Sequence, residues 1–105
     1  MSNELLIERA LRRQEIFRNL QKYLGIIKAT VQKLDPEAEM YLFGSVAENT
    51  NNYSSDIDIL VITDLKAGII HSELWKSGIK EPFEIHIEPK QNADFYKTKA
   101  KIIKM

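Results

Sequence analysis

Apolar residues recur through the first third of the chain at helical spacing. Ile16, Leu20, Tyr23, Leu24, Ile27, Val31 and Leu34 form one stripe, which predicts a single long helix over residues 3–34. Gly25 weakens its middle slightly. Asp35-Pro36 ends it, because a residue before proline avoids helical backbone angles. The period then shortens. Residues 38–43, with Met40-Tyr41-Leu42-Phe43, predict a short strand, and residues 45–50 a short helix followed by a polar loop over 51–55. The clearest strand is 56–63, where Ile57, Ile59, Leu60, Val61 and Ile62 cluster. Asp64 is placed to cap a helix over 65–77 that carries Ile69, Ile70 and Leu74, and Gly78 is placed to stop it. Phe83-Glu84-Ile85-His86-Ile87-Glu88 alternates at period two, a third strand closed by Pro89. Residues 92–105 predict a last helix with Phe95, Tyr96, Ile102 and Ile103 turned inward. Together these elements predict an α/β (α+β) chain, a small sheet of three to four strands flanked by helices.

Composition narrows the class. At 105 residues the chain reads as one domain, 1–105, able to bury a core but without room for a second substrate domain. Its 44% hydrophobic and 29% charged residues are those of a soluble globular protein. No apolar run approaches membrane-spanning length. Charge interrupts the apolar residues of the N-terminus, so no secretory signal is read there, and the cytoplasm is the expected location. The absence of cysteine excludes disulfides and thiolate metal sites. The sequon Asn52-Tyr53-Ser54 is read as coincidence.

The net charge of zero hides an asymmetry. Residues 1–34 carry seven basic and three acidic side chains, residues 35–64 seven acidic and none basic, and residues 65–105 eight basic and five acidic. The central segment thus has no local cation, and a polyphosphate arriving there needs metal ions to screen the carboxylates. Asp35, Glu37 and Glu39 flank Pro36 and are expected to lie solvated in a turn.

That central segment also holds the candidate chemistry. Gly44-Ser45 follows the first strand, and Asp56 and Asp58 open the second. Residues i and i+2 of a strand share a face about 6.5 Å apart, so both carboxylates can reach one small cation cluster. Paired magnesium ions in phosphoryl-transfer sites lie about 3.5–4 Å apart. Glycine admits a phosphate close to the backbone, and serine adds a hydroxyl donor. A plainer alternative is a surface turn followed by a strand with two outward aspartates, but aspartate is a poor strand former and two in one β-branched run ask for a reason.

Gly-Ser, ten residues, then Asp-x-Asp, set between two apolar runs, resembles the signature of the DNA polymerase beta-like nucleotidyltransferase superfamily. The small size resembles its minimal nucleotidyltransferase branch. The likeness covers roughly residues 38–88 and, more loosely, the whole chain. It implies a polymerase beta-like mixed sheet with a long N-terminal helix. It implies metal-dependent transfer of a nucleoside monophosphate, AMP from ATP by the same likeness, to an acceptor hydroxyl. Asp56, Asp58 and a third carboxylate on the neighbouring strand would be catalytic and would hold two Mg²⁺ ions, with Mn²⁺ as a substitute. Gly44 and Ser45 would bind the nucleotide's phosphates. The family position just after the third strand's first apolar residue is Glu84, whereas Glu88, beside Pro89, is expected in solvent. Relatives often carry Arg-Gly where this chain has Glu48-Asn49.

Other polar residues are read more modestly. His86 shares the face of Glu84 and is expected as a hydrogen-bonded neighbour. His71 is given no role, and Ser54 and Ser55 are expected to bond the loop backbone. Trp75 is expected to pack. Lys90, Lys97, Lys99, Lys101 and Lys104 are expected to form a solvated helix face, with nucleic acid an open alternative. Leu5, Leu6, Ile7 and Leu11 exceed what one core stripe needs, and a homodimer or partner contact is expected of them. Minimal nucleotidyltransferases resemble antitoxins that pair with an all-helical HEPN protein. A second function is therefore a binding module that neutralises such a partner by contact alone.

Overall fold

The computed structural model describes residues 2–52, 55–99 and 101–105. Helices α1 (Ser2–Arg18) and α2 (Leu20–Leu34) come first, then β1 (Glu39–Phe43), the one-turn α3 (Gly44–Ala47) and β2 (Ile57–Ile62). Next are α4 (Ala67–Lys76), β3 (Phe83–Glu88), a 3₁₀ turn over Lys90–Asn92, α5 (Ala93–Lys99) and β4 (Ile103–Lys104). The sheet order is β3-β2-β1-β4. β1 runs antiparallel to both β2 and β4. β2 and β3 are parallel, joined by α4 as a crossover helix. The sheet is therefore mixed and four-stranded.

β2 explains why the sheet forms where it does. Ile57, Ile59 and Val61 point into the main core, against Leu24, Ile27 and Val31 of α2 and Ile70 and Leu74 of α4. Leu60 and Ile62 point the other way, joining Tyr41 in a smaller cluster under Ala93, Tyr96 and Ile102. A strand covered on both faces reads as a continuous apolar run, which is the pattern of this segment. Each such side chain contributes roughly 1.5–3 kcal/mol on burial. A slip of one residue would drive Asp58 into the main core and Ile57 and Ile59 out of it, so the register is strongly fixed. α5 covers the second face only near Leu60 and Ile62. The opposite end, around Asp58, is left open.

The expected single helix over 3–34 is two helices. Asn19 leaves helical geometry at φ −113° and ψ 32°. Its side-chain amide donates to the Glu15 carbonyl at 3.0 Å, and its own carbonyl accepts the Lys22 N–H at 3.0 Å, starting α2. Side-chain bonding of this kind competes with the helix ladder. The apolar stripe runs on across the break, from Ile16 to Leu20, and so conceals it. Leu5, Leu6, Ile7 and Leu11 are exposed on α1.

The C-terminal expectation is likewise corrected. α5 ends at Lys99, and Ile103-Lys104 instead pair with Leu42 and Tyr41 along the edge of β1. Met105 continues the ladder by donating its N–H to the Met40 carbonyl at 2.9 Å. β1's outer backbone groups would otherwise lack partners, which outweighs helix propensity here. Tyr96 and Ile102 do turn inward, while Phe95 and Ile103 stay exposed.

α4 begins at Ala67 with no side-chain cap. Asp64, expected to cap it, accepts the Lys90 backbone N–H at 3.0 Å instead. Ile69 and Trp75 face solvent rather than the core. Gly78 does stop the helix. At φ +88° it lets its own N–H reach the Trp75 carbonyl at 3.0 Å, while the Ile79 N–H reaches that of Leu74 at 2.9 Å. Among the described residues no helix is long and apolar enough to cross a membrane.

Thr63 ties the sheet to the helical layer. It is buried at the end of β2, donates its hydroxyl to Asp35 at 2.6 Å and accepts the Leu65 N–H at 3.2 Å. That hydroxyl, more than the nearby Glu37 N–H and the Lys90 charge, holds the Asp35 carboxyl below its ordinary 3.8. A carboxylate with a lowered native pKa stabilises the fold above pH 3.8, and the contribution is lost as the pH falls through the native value. Thr63→Val removes the donor and the acceptor together. It should cost about 1–2 kcal/mol at neutral pH and flatten the acid limb of the stability curve, read from urea melts across pH.

Candidate active site

The site is assembled at the N-terminal ends of the parallel pair. Register places Asp58 of β2 beside Glu84 of β3, and Leu60 beside His86. Same-register residues on parallel strands point to one face, so Asp58, Glu84 and His86 gather on the face that α5 leaves open. His86 Nε2 lies 3.3 Å from Asp58 Oδ1 and 3.6 Å from Glu84 Oε1. One ligand atom from each of the three lies within 4.8 Å of the others. The imidazole is set edge-on to Phe43, ring centroids 5.0 Å apart, which fixes its plane. Two carboxylates and an imidazole at this spacing suit a divalent cation that accepts oxygen and nitrogen ligands.

Gly44 closes the opposite side of Asp58. Phe43 pairs with Asp58 across β1 and β2, so the turn after β1 runs against the aspartate. Gly44 has φ +72°, and a Cβ there would collide with Asp58 Oδ2 and lie 3.2 Å from its Cγ. Glycine is required twice over, by backbone angle and by space. Ser45 follows in α3, its carbonyl accepting the Thr50 N–H at 2.9 Å. Asn49 has φ +60°. Asparagine tolerates that region best among non-glycine residues, so it suits the turn.

Asp56 stands apart from this cluster. It precedes β2, and its carboxylate is half exposed, 3.7 Å from the Arg13 guanidinium of α1. Arg13 also donates to the Ser55 carbonyl at 3.1 Å. The structure therefore brings Asp58 and Glu84 together and sets Gly44 against Asp58. Asp56 sits at the rim, and His86 comes into direct contact with both cluster carboxylates. The period-two pattern placed His86 on this face, but its closeness to Asp58 depends on strand register. Arg13 lies far off in sequence, and its only local sign is its place four residues after Arg9 on one helical face.

Distant cations neutralise the acidic segment. Lys90 reaches Glu37 at 3.0 Å and Lys97 reaches Glu39 at 2.9 Å. Glu37 does lie exposed in the turn, at the surface pair with Lys90, whereas Asp35 is held by Thr63 and Glu39 is not in the turn. Glu39 belongs to β1, and bonds from Tyr41 and then Lys97 hold its carboxyl below the ordinary range. Glu88 is not left to solvent either. It accepts the Tyr96 hydroxyl at 2.6 Å and the Asn92 amide at 3.4 Å, and the first bond raises the Tyr96 pKa. Lys90 and Lys97 are engaged in ion pairs rather than forming a free basic face. Ser55 bonds the loop as expected, its hydroxyl accepting the Asn52 N–H at 3.1 Å, while Tyr53 and Ser54 of the sequon lie outside the described residues. His71 is exposed on α4, far along the chain from this cluster.

A four-stranded mixed sheet with a glycine turn packed on an acidic strand end is the architecture of a nucleotidyltransferase domain. The chain belongs to the nucleotidyltransferase domain family, whose sequence profile matches residues 24–104. It is similar to a crystal structure described as a candidate nucleotidyltransferase, at 28% identity and a TM-score of 0.54, over 83% of this chain and 97% of that one. A second candidate nucleotidyltransferase, from Sulfolobus solfataricus, shares the fold at 19% identity and a TM-score of 0.54, over 93% of this chain and 83% of its own. No curated protein matches at a significant level. The resemblance read from Gly44-Ser45 and Asp56-x-Asp58 thus holds at the level of family and fold.

Proposed function

We propose that this chain transfers a nucleoside monophosphate, AMP from ATP by family resemblance, to an acceptor hydroxyl with release of pyrophosphate. The convergence of Asp58, Glu84 and His86 beside Gly44 carries the reading. Asp56, Asp58 and Glu84 are the residues that would hold Mg²⁺ or Mn²⁺, with the His86 imidazole adding a nitrogen ligand that suits Mn²⁺. When bound, such ions neutralise charge on the phosphates and on the attacking oxygen. The protein's own part is positioning. Gly44 and Ser45 present backbone and hydroxyl donors to the β- and γ-phosphates. Glu84 orients the acceptor hydroxyl and takes its proton as the acceptor oxygen bonds to the α-phosphorus. The bond from that phosphorus to the bridging oxygen breaks, and pyrophosphate leaves with the electron pair. Alignment and charge neutralisation supply most of such catalysis. A nucleoside triphosphate substrate also argues for a cytoplasmic protein.

The metal reading is testable without turnover. Titration of the whole chain with Mn²⁺ should show weak binding that tightens when a non-hydrolysable ATP analogue adds its oxygens. Affinity unchanged by the nucleotide would count against transfer as the activity.

A second reading is favoured by α1. Its exposed Leu5, Leu6, Ile7 and Leu11 offer apolar surface to another chain, either a second copy or a helical partner of the HEPN type. Labelled-ATP transfer onto such a partner would join the two readings. Neutralisation of the partner by a chain that has lost its carboxylate cluster would leave binding alone.

A further inference from the structure

A cleft of about 150 Å³ lies between α1 and the turn before β3, lined by Arg9, Arg12, Arg13, Lys80 and Glu81. Four cationic side chains and one carboxylate line it, and two of the four, Arg9 and Arg13, hold that carboxylate. Arg9 Nη2 donates to both Glu81 oxygens at 3.0 and 2.9 Å, and Arg13 Nη2 to one of them at 2.7 Å. Bonds from Arg13 and then Arg9 hold the Glu81 carboxyl below its ordinary range. Lys80 Nζ is set 4.4 Å above the Trp75 ring, beside the cleft. Glu81 therefore leaves the cleft with a surplus of positive charge. Guanidinium groups that hold a carboxylate also suit the oxygens of a phosphate.

Position gives the cleft its meaning. Arg13 is mostly buried, and it spans from Glu81 to within 3.7 Å of Asp56, so the cleft lies beside the rim carboxylate of the site. β2 lies between β1 and β3. Gly44 follows β1 and Glu81 precedes β3, so the glycine turn and the arginine cleft flank Asp56 and Asp58 from opposite sides. A nucleoside triphosphate held at Gly44-Ser45 leaves the cleft to the other substrate. Sites for whole small molecules occupy roughly 300–1,000 Å³, so this one fits a single charged group rather than a complete ligand.

We propose that the cleft of Arg9, Arg12, Arg13 and Lys80 binds a phosphate group of the acceptor, and that Glu81 occupies it in the acceptor's absence. This inference deepens the transferase reading and rests on it. The acceptor is thereby a phosphorylated molecule that carries a free hydroxyl. The phosphate is an anchor only, and no bond to it is made or broken.

The test uses the full chain without metal, titrated with inorganic phosphate against sodium chloride of equal ionic strength and followed by amide NMR. Phosphate should shift the signals of residues 9, 12, 13, 80 and 81. Glu81→Gln, which removes the competing carboxylate charge, should bind phosphate several-fold more tightly. Arg12→Gln should bind it about tenfold more weakly while melting at the parent's temperature. A Glu81→Gln variant that merely melts lower, with phosphate affinity unchanged, would show Glu81 to be a structural ion pair and overturn the assignment. The titration is then repeated with Mg²⁺ and a non-hydrolysable ATP analogue. Phosphate binding that persists beside the analogue supports an acceptor site. Displacement by the analogue would give the cleft to the nucleotide's own phosphates. Absence of any phosphate response overturns the cleft yet leaves nucleotide-dependent Mn²⁺ binding standing, so the two failures are distinguishable.

Discussion

Asp58→Asn should abolish nucleotidyl transfer and leave the fold standing. The side chain keeps its shape but loses the charge that faces Glu84 and His86, and its carboxylate is the nearer of the two to the imidazole, at 3.3 Å against 3.6 Å. Packing of the main core does not change, because β2 contributes Ile57, Ile59 and Val61 to it from the other face. Relief of like-charge crowding with Glu84 should hold the melting temperature level or raise it slightly. The expected loss of transfer is on the order of a thousandfold or more, since a phosphoryl-transfer site works almost wholly by charge neutralisation and alignment. Glu84→Gln should fall on the same side, whereas Asp56→Asn should cost less because that carboxylate sits at the rim near Arg13. An AMP-transfer assay paired with a melting curve for each variant is the check. Unfolding of Asp58→Asn would make the aspartate structural and sink the catalytic reading.

Gly44→Ala should damage the same site without touching a charge. The added methyl meets the Asp58 carboxylate, and the backbone must hold φ +72° with a side chain present. Left-handed backbone costs a non-glycine residue about 1–2 kcal/mol, so the melting temperature should drop. The larger effect is on chemistry. Asp58 has to swing away from the methyl, and a displacement of about 1 Å in a positioned group can cost roughly a hundredfold in rate. Nucleotide-dependent Mn²⁺ affinity should fall with it. A Gly44→Ala chain that binds Mn²⁺ as the parent does would mean that the close packing of turn and aspartate has no part in the site.

Much of this arrangement was legible in the sequence because it rests on local period and spacing. The alternation of 83–88 delimits β3 correctly, and the apolar run of 57–62 is that of a strand covered on both sides. Glu84 could be set opposite the aspartates from face and family position, and register then placed it directly beside Asp58. What the pattern missed depends on groups that meet only in three dimensions. Asn19 breaks the first helix by bonding its side chain to a neighbouring carbonyl, while the apolar stripe continues across the break. The pairing of Ile103 with Leu42 rests on an open strand edge that no local propensity reports. Arg13 reaches Asp56 only because α1 packs across the ends of the parallel strands. The acidic middle of the chain looked uncompensated because Lys90, Lys97 and Arg13 arrive from other elements.

The short β4 strand bears on how the protein behaves at high concentration. β1 is an inner strand only because Ile103 and Lys104 lie along it. Without those residues, β1 would present a row of unpaired N–H and C=O groups, flanked by the apolar Leu42 and Met40, to any extended chain in reach. Two residues and the Met105 N–H are thus what separates a covered β1 from a template for strand addition. Fraying at this point would first show as self-association and loss of solubility, at a distance from the carboxylate cluster and with the chemistry still intact.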